Sequence, residues 1–196
     1  MTIISDPWFY AVAIPAVLLT GLSKSGFATG IGTLSVPLMA LVISVPHAAA
    51  VMMPLLLLTD LIGLRMFRRD FDKKLLRFFL PFGLLGVVIG TLLFKLLSAH
   101  MVAGCLGVFT LLFLAQRLFF PPNENTKPPP RWAGAILVTL SGFTSFIAHA
   151  GAPPMNAYAL PLKLKPMVFA ATLAYFYFFI NLSKWIPYAY LGLLDL

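Results

Sequence analysis

The sequence has little of what a soluble enzyme of this size needs. Only 10% of its 196 residues are charged, one is cysteine and three are histidine. A single cysteine excludes an intrachain disulfide, and neither it nor the histidines show the spacing of a metal site. The N-terminal MTIISDPWFY has no basic region, so we expect no cleavable signal peptide. With no paired nucleophile and base either, we expect neither enzymatic activity nor a cofactor.

Apolar residues are abundant instead, at 60% of the chain and a mean hydropathy of +0.95. They form long runs, several of which could cross about 30 Å of hydrocarbon as helices. The runs cover residues 9–22, 31–45, 48–66, 78–97, 101–120, 132–148 and 167–190. Helices in soluble cores rarely extend this far without charges. We therefore expect an all-α polytopic membrane protein, surrounded by lipid in the inner (cytoplasmic) membrane.

The basic residues indicate how the chain is oriented. A net charge of +8 could suggest a nucleic-acid partner, but the charges lie in short links between the apolar runs. Eleven of the 14 Lys and Arg residues fall in links on one side, and only Lys95 falls on the other. Such a bias is typical of the positive-inside rule. We expect no nucleic-acid partner, an N-terminus outside the cell, and cytoplasmic links at 67–77 and 121–131.

One apolar region is interrupted by GLSKSGFATGIGTLSVP (21–37), which contains four glycines and Lys24. A broken helix leaves backbone groups unpaired, and a membrane protein tolerates this only where the break is buried or lines a wet cavity. A helix that restarts after the break presents its N-terminus to anions. A lysine at mid-membrane costs about 2.5–3.5 kcal/mol, so it needs a reason. We expect a broken-helix hairpin with an anion site; two short crossings are the alternative.

A second interrupted stretch, SGFTSFIAHAGAPP (141–154), occurs about 121 residues later. At that offset Gly30 falls on Gly151 and Asp60 falls on Asn181. The charge pattern orients the two halves oppositely. Inverted repeats with broken helices in matching positions are typical of secondary transporters, with the site at the repeat interface. Because the identities are few, chance similarity is the alternative.

The offset also divides the chain. We expect a first repeat at 1–120 (a hairpin plus three transmembrane helices), a cytoplasmic linker at 121–131, and a second repeat at 132–196 (a hairpin plus one helix). The second repeat is incomplete, because two helices of the first repeat have no counterpart. Either the chain is a fragment or another subunit completes it, and a homo-oligomer is one such arrangement.

The motifs in this order resemble those of the TauE/SafE family, which comprises sulfite exporters and toluenesulfonate-uptake-type permeases. The resemblance covers nearly the whole chain, and it implies secondary transport of sulfur-containing or small organic anions driven by an ion gradient. Family members often have three consecutive glycines where this chain has GIGT (30–33) and GAP (151–153). The segments that carry the resemblance are GLSKSGFATGIGTLSVP, RMFRRDFDKK, GFTSFIAHAGAPP and AATLAYFYFFINLSKWIPY.

The candidate site residues lie at the two breaks and in the spans that follow them. Asn181 and Lys184 share one helix face, so an amide and a charge could bind one anion together. Asp60 is predicted to be an ion-coupling residue, because an ionisable group inside a span marks function by default. The alternatives are an ion pair of Asp60 with Lys24 or Arg65, and packing roles for the polar residues. The predicted substrate-binding residues are Lys24, Ser25, Gly30, His149, Gly151, Asn181 and Lys184.

Together these features predict a secondary transporter that moves a small anion, of the sulfite or organosulfonate type, by alternating access. Two alternatives stay open: an uptake permease for another small substrate, and a non-transporting membrane assembly subunit. The glycines at 83, 86 and 90 are predicted to serve close helix packing rather than binding.

Overall fold

A computed structural model describes residues 6–24, 30–67, 70–94, 96, 98–119 and 127–194, with backbone alone at 99, 105, 106, 109, 113, 116 and 117. All secondary structure in these ranges is helical. Four helices are long and apolar enough to cross a membrane: α3, α4, α6 and α8. The prediction of an all-α polytopic membrane protein is confirmed. The helices are α1 (Pro7–Lys24), α2 (Ser35–Met39), α3 (Val45–Met66), α4 (Lys73–Phe94), α5 (Ala99–Phe119), α6 (Arg131–Ala148), α7 (Ala152–Ala159) and α8 (Pro166–Tyr190).

Both interrupted stretches form pairs of packed helices rather than pairs of crossings. The predicted run at 31–45 contains a 3₁₀ turn, Ile31–Leu34, followed by α2 with only five residues. At 1.5 Å per residue, α2 is far too short to span the membrane. It packs back on α1, and the eight-residue α7 packs back on α6 in the same way. The geometry therefore favours the hairpin alternative over two short crossings.

The order of helices repeats along the chain. The hairpin of α1 and α2 is followed by α3, and the hairpin of α6 and α7 is followed by α8. α3 begins at Val45 and α8 begins at Pro166, which differ by the offset found in the sequence. This agreement supports a structural repeat. The inversion of the halves, and the division into 1–120, 121–131 and 132–196, stay predictions.

Facing glycines bring α4 and α6 into backbone contact. A Cβ atom at Gly86 would lie 2.0 Å from the carbonyl oxygen of Thr139, and one at Gly142 would lie 2.0 Å from that of Gly83. At Gly90 a Cβ atom would lie 2.8 Å from the ring of Phe146 on α6. Since no larger residue fits at these positions, the prediction that these glycines serve helix packing is confirmed.

α6 ends inside the protein, so its last carbonyl groups need partners from outside the helix. Side chains of α8 supply them. The hydroxyl of Tyr188 donates to the carbonyl oxygen of Phe146 at 2.7 Å, and Lys184 Nζ donates to that of Ser145 at 2.9 Å. Side chains of α8 thereby supply hydrogen-bond donors to carbonyl groups at the C-terminal end of α6.

We expect Tyr188→Phe to destabilise the protein, because the buried carbonyl of Phe146 would lose its donor. Leaving a buried polar group unsatisfied costs about 1–3 kcal/mol. The unfolding transition of the purified protein in detergent measures this loss. Tyr10→Phe, at a side chain that is 44% exposed on α1, is the control and should leave the transition unchanged. Equal transitions for the two variants would contradict the role given to Tyr188.

Candidate functional site

A cavity of about 140 Å³ lies between the two broken helices. It can hold a small polyatomic ion and water, since one water molecule needs only about 10–15 Å³ of such space. Its wall combines residues of α1, α3 and α8 with residues at both breaks. Apolar side chains such as Met52 and Phe169 form part of this wall. The polar residues that line it are Thr20, Ser23, Lys24, Thr33, Ser35, Thr59, Asp60, Ser145, His149, Asn156, Tyr177 and Asn181.

Asp60 is the centre of a polar bridge across the cavity wall. Its carboxylate forms an ion pair with Lys24 of α1, and its second oxygen accepts a hydrogen bond from Asn181 Nδ2 of α8 at 2.6 Å. Asp60 is 1% exposed, whereas the Lys24 side chain is 26% exposed. Of the two pairs weighed from the sequence, the structure has the one with Lys24. Asp60 and Asn181, equivalent under the 121-residue offset, meet directly.

Lys184 belongs to a second polar cluster, next to the first. It is fully buried and is not among the residues that line the cavity. Its Nζ lies 2.9 Å from the carbonyl oxygen and 3.1 Å from the hydroxyl of Ser145, and 2.8 Å from His149 Nδ1. The other ring nitrogen of His149 lies 2.8 Å from the carbonyl oxygen of Ala49. His149, which does line the cavity, therefore connects Lys184 to it.

The position of Lys184 has an electrostatic reason. The C-terminal end of a helix carries a partial negative charge, which favours a cation nearby. Lys184 Nζ contacts Ser145 in the last turn of α6, so the positive charge of the lysine lies at the negative end of the helix. This contact removes the ammonium group from the cavity, although Asn181 on the same helix lines it.

The chain turns at the two breaks in a left-handed conformation. Gly30 has φ 96°, which favours glycine, and His149 has φ 53°, in a region where histidine is enriched. Neighbouring hydroxyls satisfy the backbone there. Thr33 Oγ1 donates to the carbonyl of Gly30 at 2.6 Å, and Ser141 Oγ donates to that of Gly151 at 2.7 Å. The hydroxyls at the breaks thus add a second hydrogen bond to the carbonyls of the two turns.

The structure brings most of the predicted site residues together. Gly151 is not among the lining residues, and a Cβ atom there would lie 2.8 Å from the carbonyl of Ser141, so it permits close packing. Ser25 falls outside the described residues. Lys184 does not line the cavity and contacts two residues that do, Ser145 and His149. The predicted residues that line the cavity are Lys24, Gly30, Asp60, His149 and Asn181.

Asn156 and Tyr177 are two of the uncharged lining residues that sequence reasoning missed. Asn156, in α7, has a buried Oδ1 with no hydrogen-bond partner among the residues described. It falls on Ser35 at the 121-residue offset, and that equivalence was the available signal. Tyr177 places its ring 5.9 Å from Lys24 Nζ, within range of a cation–π contact. In the ranges that the structure describes, no cluster of three or more His, Cys, Asp or Glu could hold a metal ion.

Apolar helices, two broken hairpins and a buried ion pair at a polar cavity are features of a polytopic membrane transporter. The comparison with protein families agrees with this class. The family model for "Sulfite exporter TauE/SafE" matches residues 13–196, nearly the whole chain. The protein therefore belongs to the TauE/SafE family of membrane transporters, and the resemblance seen in the sequence is confirmed. The comparisons with curated proteins and with solved structures gave no match.

Proposed function

We propose that the protein carries a small oxoanion, of the sulfite or organosulfonate type, across the cytoplasmic membrane by alternating access. The observation that supports this most is the Lys24–Asp60–Asn181 bridge in the wall of a cavity bordered by both broken helices. Family membership supports transport, and the buried charges support an anion. In this proposal the N-terminus lies outside, and the links at 67–77 and 121–131 lie in the cytoplasm.

An anion would bind by competing with Asp60 for Lys24. The ammonium group is partly exposed and faces the cavity, whereas the carboxylate is fixed by Asn181 from the other side. Charges attract strongly where water is scarce, so an oxoanion in the cavity can draw Lys24 toward itself. The lysine would then carry most of the affinity, and Asn181 would orient the anion through its amide.

This exchange gives Asp60 its proposed coupling role. Once Lys24 contacts the anion, the buried carboxylate loses its counter-charge, which is unfavourable. A second positive charge at the site would restore the balance, so anion binding and ion binding become linked. The Asp60–Asn181 bond joins α3 to α8, and a movement of α3 relative to α8 during alternating access would break and re-form it.

The proposal predicts transport by the protein alone in proteoliposomes. Labelled sulfite, thiosulfate and a simple sulfonate should enter faster than into empty vesicles. Lys24→Gln and Asn181→Ala should each slow entry about 10- to 100-fold, since a hydrogen bond to a charged group contributes about 1.5–3 kcal/mol. Flux with and without an imposed pH gradient tests the coupling.

Lys165→Gln is the matched control, because this lysine is exposed and lies away from the cavity. It should transport like the wild type. Wild-type rates in both Lys24→Gln and Asn181→Ala would contradict the site. No flux of any of the three anions by the wild type would contradict the substrate class and favour the assembly-subunit alternative.

A further inference from the structure

We propose that the carrier is a proton–anion symporter in which His149, held by Lys184, takes up one proton with each anion. The inference rests on the proposed anion transport and adds its coupling ion. The carrying observation is a chain of three buried contacts, from Ser145 through Lys184 and His149 to the backbone of Ala49. Ala49 is buried in the protein and does not line the cavity, whereas Ser145 and His149 both line it.

The hydrogen bonds allow this pair at most one positive charge at rest. A carbonyl oxygen only accepts, so the His149 nitrogen facing Ala49, Nε2, bears a hydrogen. Between His149 Nδ1 and Lys184 Nζ, which are 2.8 Å apart, there is room for one hydrogen. The remaining hydrogens of Lys184 meet the two oxygens of Ser145. Whichever nitrogen holds the shared hydrogen, the two side chains titrate as one unit.

A second proton would change this contact. With hydrogens on both Nδ1 and Nζ, two cationic donors would face each other, and the hydrogen bond would be lost. An anion in the cavity removes that obstacle, because it can accept a charge-assisted hydrogen bond from the protonated ring of His149. The proton comes from the solution open to the cavity and leaves with the anion on the other side. No other bond forms or breaks.

The nearest cations set the condition for this proton uptake. Lys24 and Lys184 both repel a positive charge on His149, so the ring takes up a proton only when an anion in the cavity offsets that repulsion. The ring of Tyr188 stacks 6.3 Å from that of His149 and adds no charge. At rest Asp60 uses both oxygens, one toward Lys24 and one toward Asn181, so a proton that arrives before Lys24 moves would have to break one of these contacts. A monovalent anion that arrives with its proton leaves the net charge of the cluster unchanged.

The test measures proton uptake on anion binding by the purified full-length protein in detergent. Methanesulfonate is the probe, because its charge is constant between about pH 5 and pH 8, where histidine titrates. The wild type should take up about one proton per bound anion, and its affinity should rise about tenfold for each pH unit lowered. Calorimetry gives the affinity, and an indicator dye in weak buffer counts the protons.

His149→Gln keeps an amide donor and acceptor but cannot be protonated, so uptake should fall to nearly zero and the affinity should no longer depend on pH. His47→Gln is the control: this histidine bonds to Ser44 in the turn before α3, and its variant should keep the full uptake. Wild-type binding without proton uptake overturns the inference without any variant. Uptake kept in His149→Gln but lost in Asp60→Asn overturns it in favour of Asp60. No binding of methanesulfonate, sulfite or thiosulfate overturns the proposed function itself.

Discussion

Gly142→Ala should unfold at a clearly lower temperature than the wild type. The added methyl group would lie 2.0 Å from the carbonyl oxygen of Gly83, a backbone atom that cannot rotate away. The α4–α6 interface would have to separate, and overpacking of this kind costs about 1–3 kcal/mol, occasionally more. Thermal unfolding of the purified protein, followed by fluorescence-detected size exclusion, measures the change.

Gly21→Ala is the matched control, because Gly21 is the residue equivalent to Gly142 at the 121-residue offset. Apart from its chain neighbours and the nearby backbone of α1, no described atom lies within 4 Å of a Cβ atom at Gly21. Alanine favours helix over glycine by up to about 1 kcal/mol, so this variant should be as stable as the wild type or slightly more so. Equal losses in both variants would contradict the importance given to the α4–α6 contact, because alanine at position 21 meets no neighbouring helix.

Asp60→Ala should be the most damaging single change in the candidate site. It leaves Lys24 without its counter-charge and the amide of Asn181 without its acceptor. Removing one partner of a buried ion pair costs about 3–5 kcal/mol, and the partial exposure of Lys24 places the loss toward the lower end. We expect a low unfolding temperature together with nearly complete loss of anion transport.

A double-mutant cycle separates the pair from its surroundings. Lys24→Gln combined with Asp60→Asn removes both charges and should be less destabilising than the sum of the single changes. Asp70→Ala, at an exposed carboxylate in the link before α4, should have no effect on stability or transport. Additive effects of Lys24→Gln and Asp60→Asn would contradict the ion pair as a stabilising unit.

The fold class could be predicted because it follows from local properties. Long apolar runs indicate membrane-spanning helices, and glycines indicate where the backbone turns or where two helices pack closely. The spacing of Gly83, Gly86 and Gly90 was therefore sufficient to predict their packing role. The ion-pair partner of Asp60 could not be predicted in this way, because Lys24 and Arg65 were both candidates. The sequence does not show which cation the helix packing brings near.

Lys184 shows the limit of reasoning from helix periodicity. A three-residue spacing predicts that Asn181 and Lys184 face the same way. They do share a face, but that face meets two different surroundings: the cavity at Asn181 and the C-terminal end of α6 at Lys184. Asn156 was missed for a related reason, because an uncharged amide near a break carries no signal of its own. The surroundings of Lys184 and of Asn156 both depend on where another helix ends, which the local sequence does not show.

The broken end of α6 also bears on which helices are packed together. Side chains of α8 bind to that end, and glycines hold α4 against α6, so these three helices form one packed block. Lys24 joins α1 to Asp60 of α3, and Asp60 joins α3 to this block through Asn181 of α8. In the proposed transport cycle, a substrate that draws Lys24 away from Asp60 would leave the hairpin of α1 and α2 free to move, while the block stays in place.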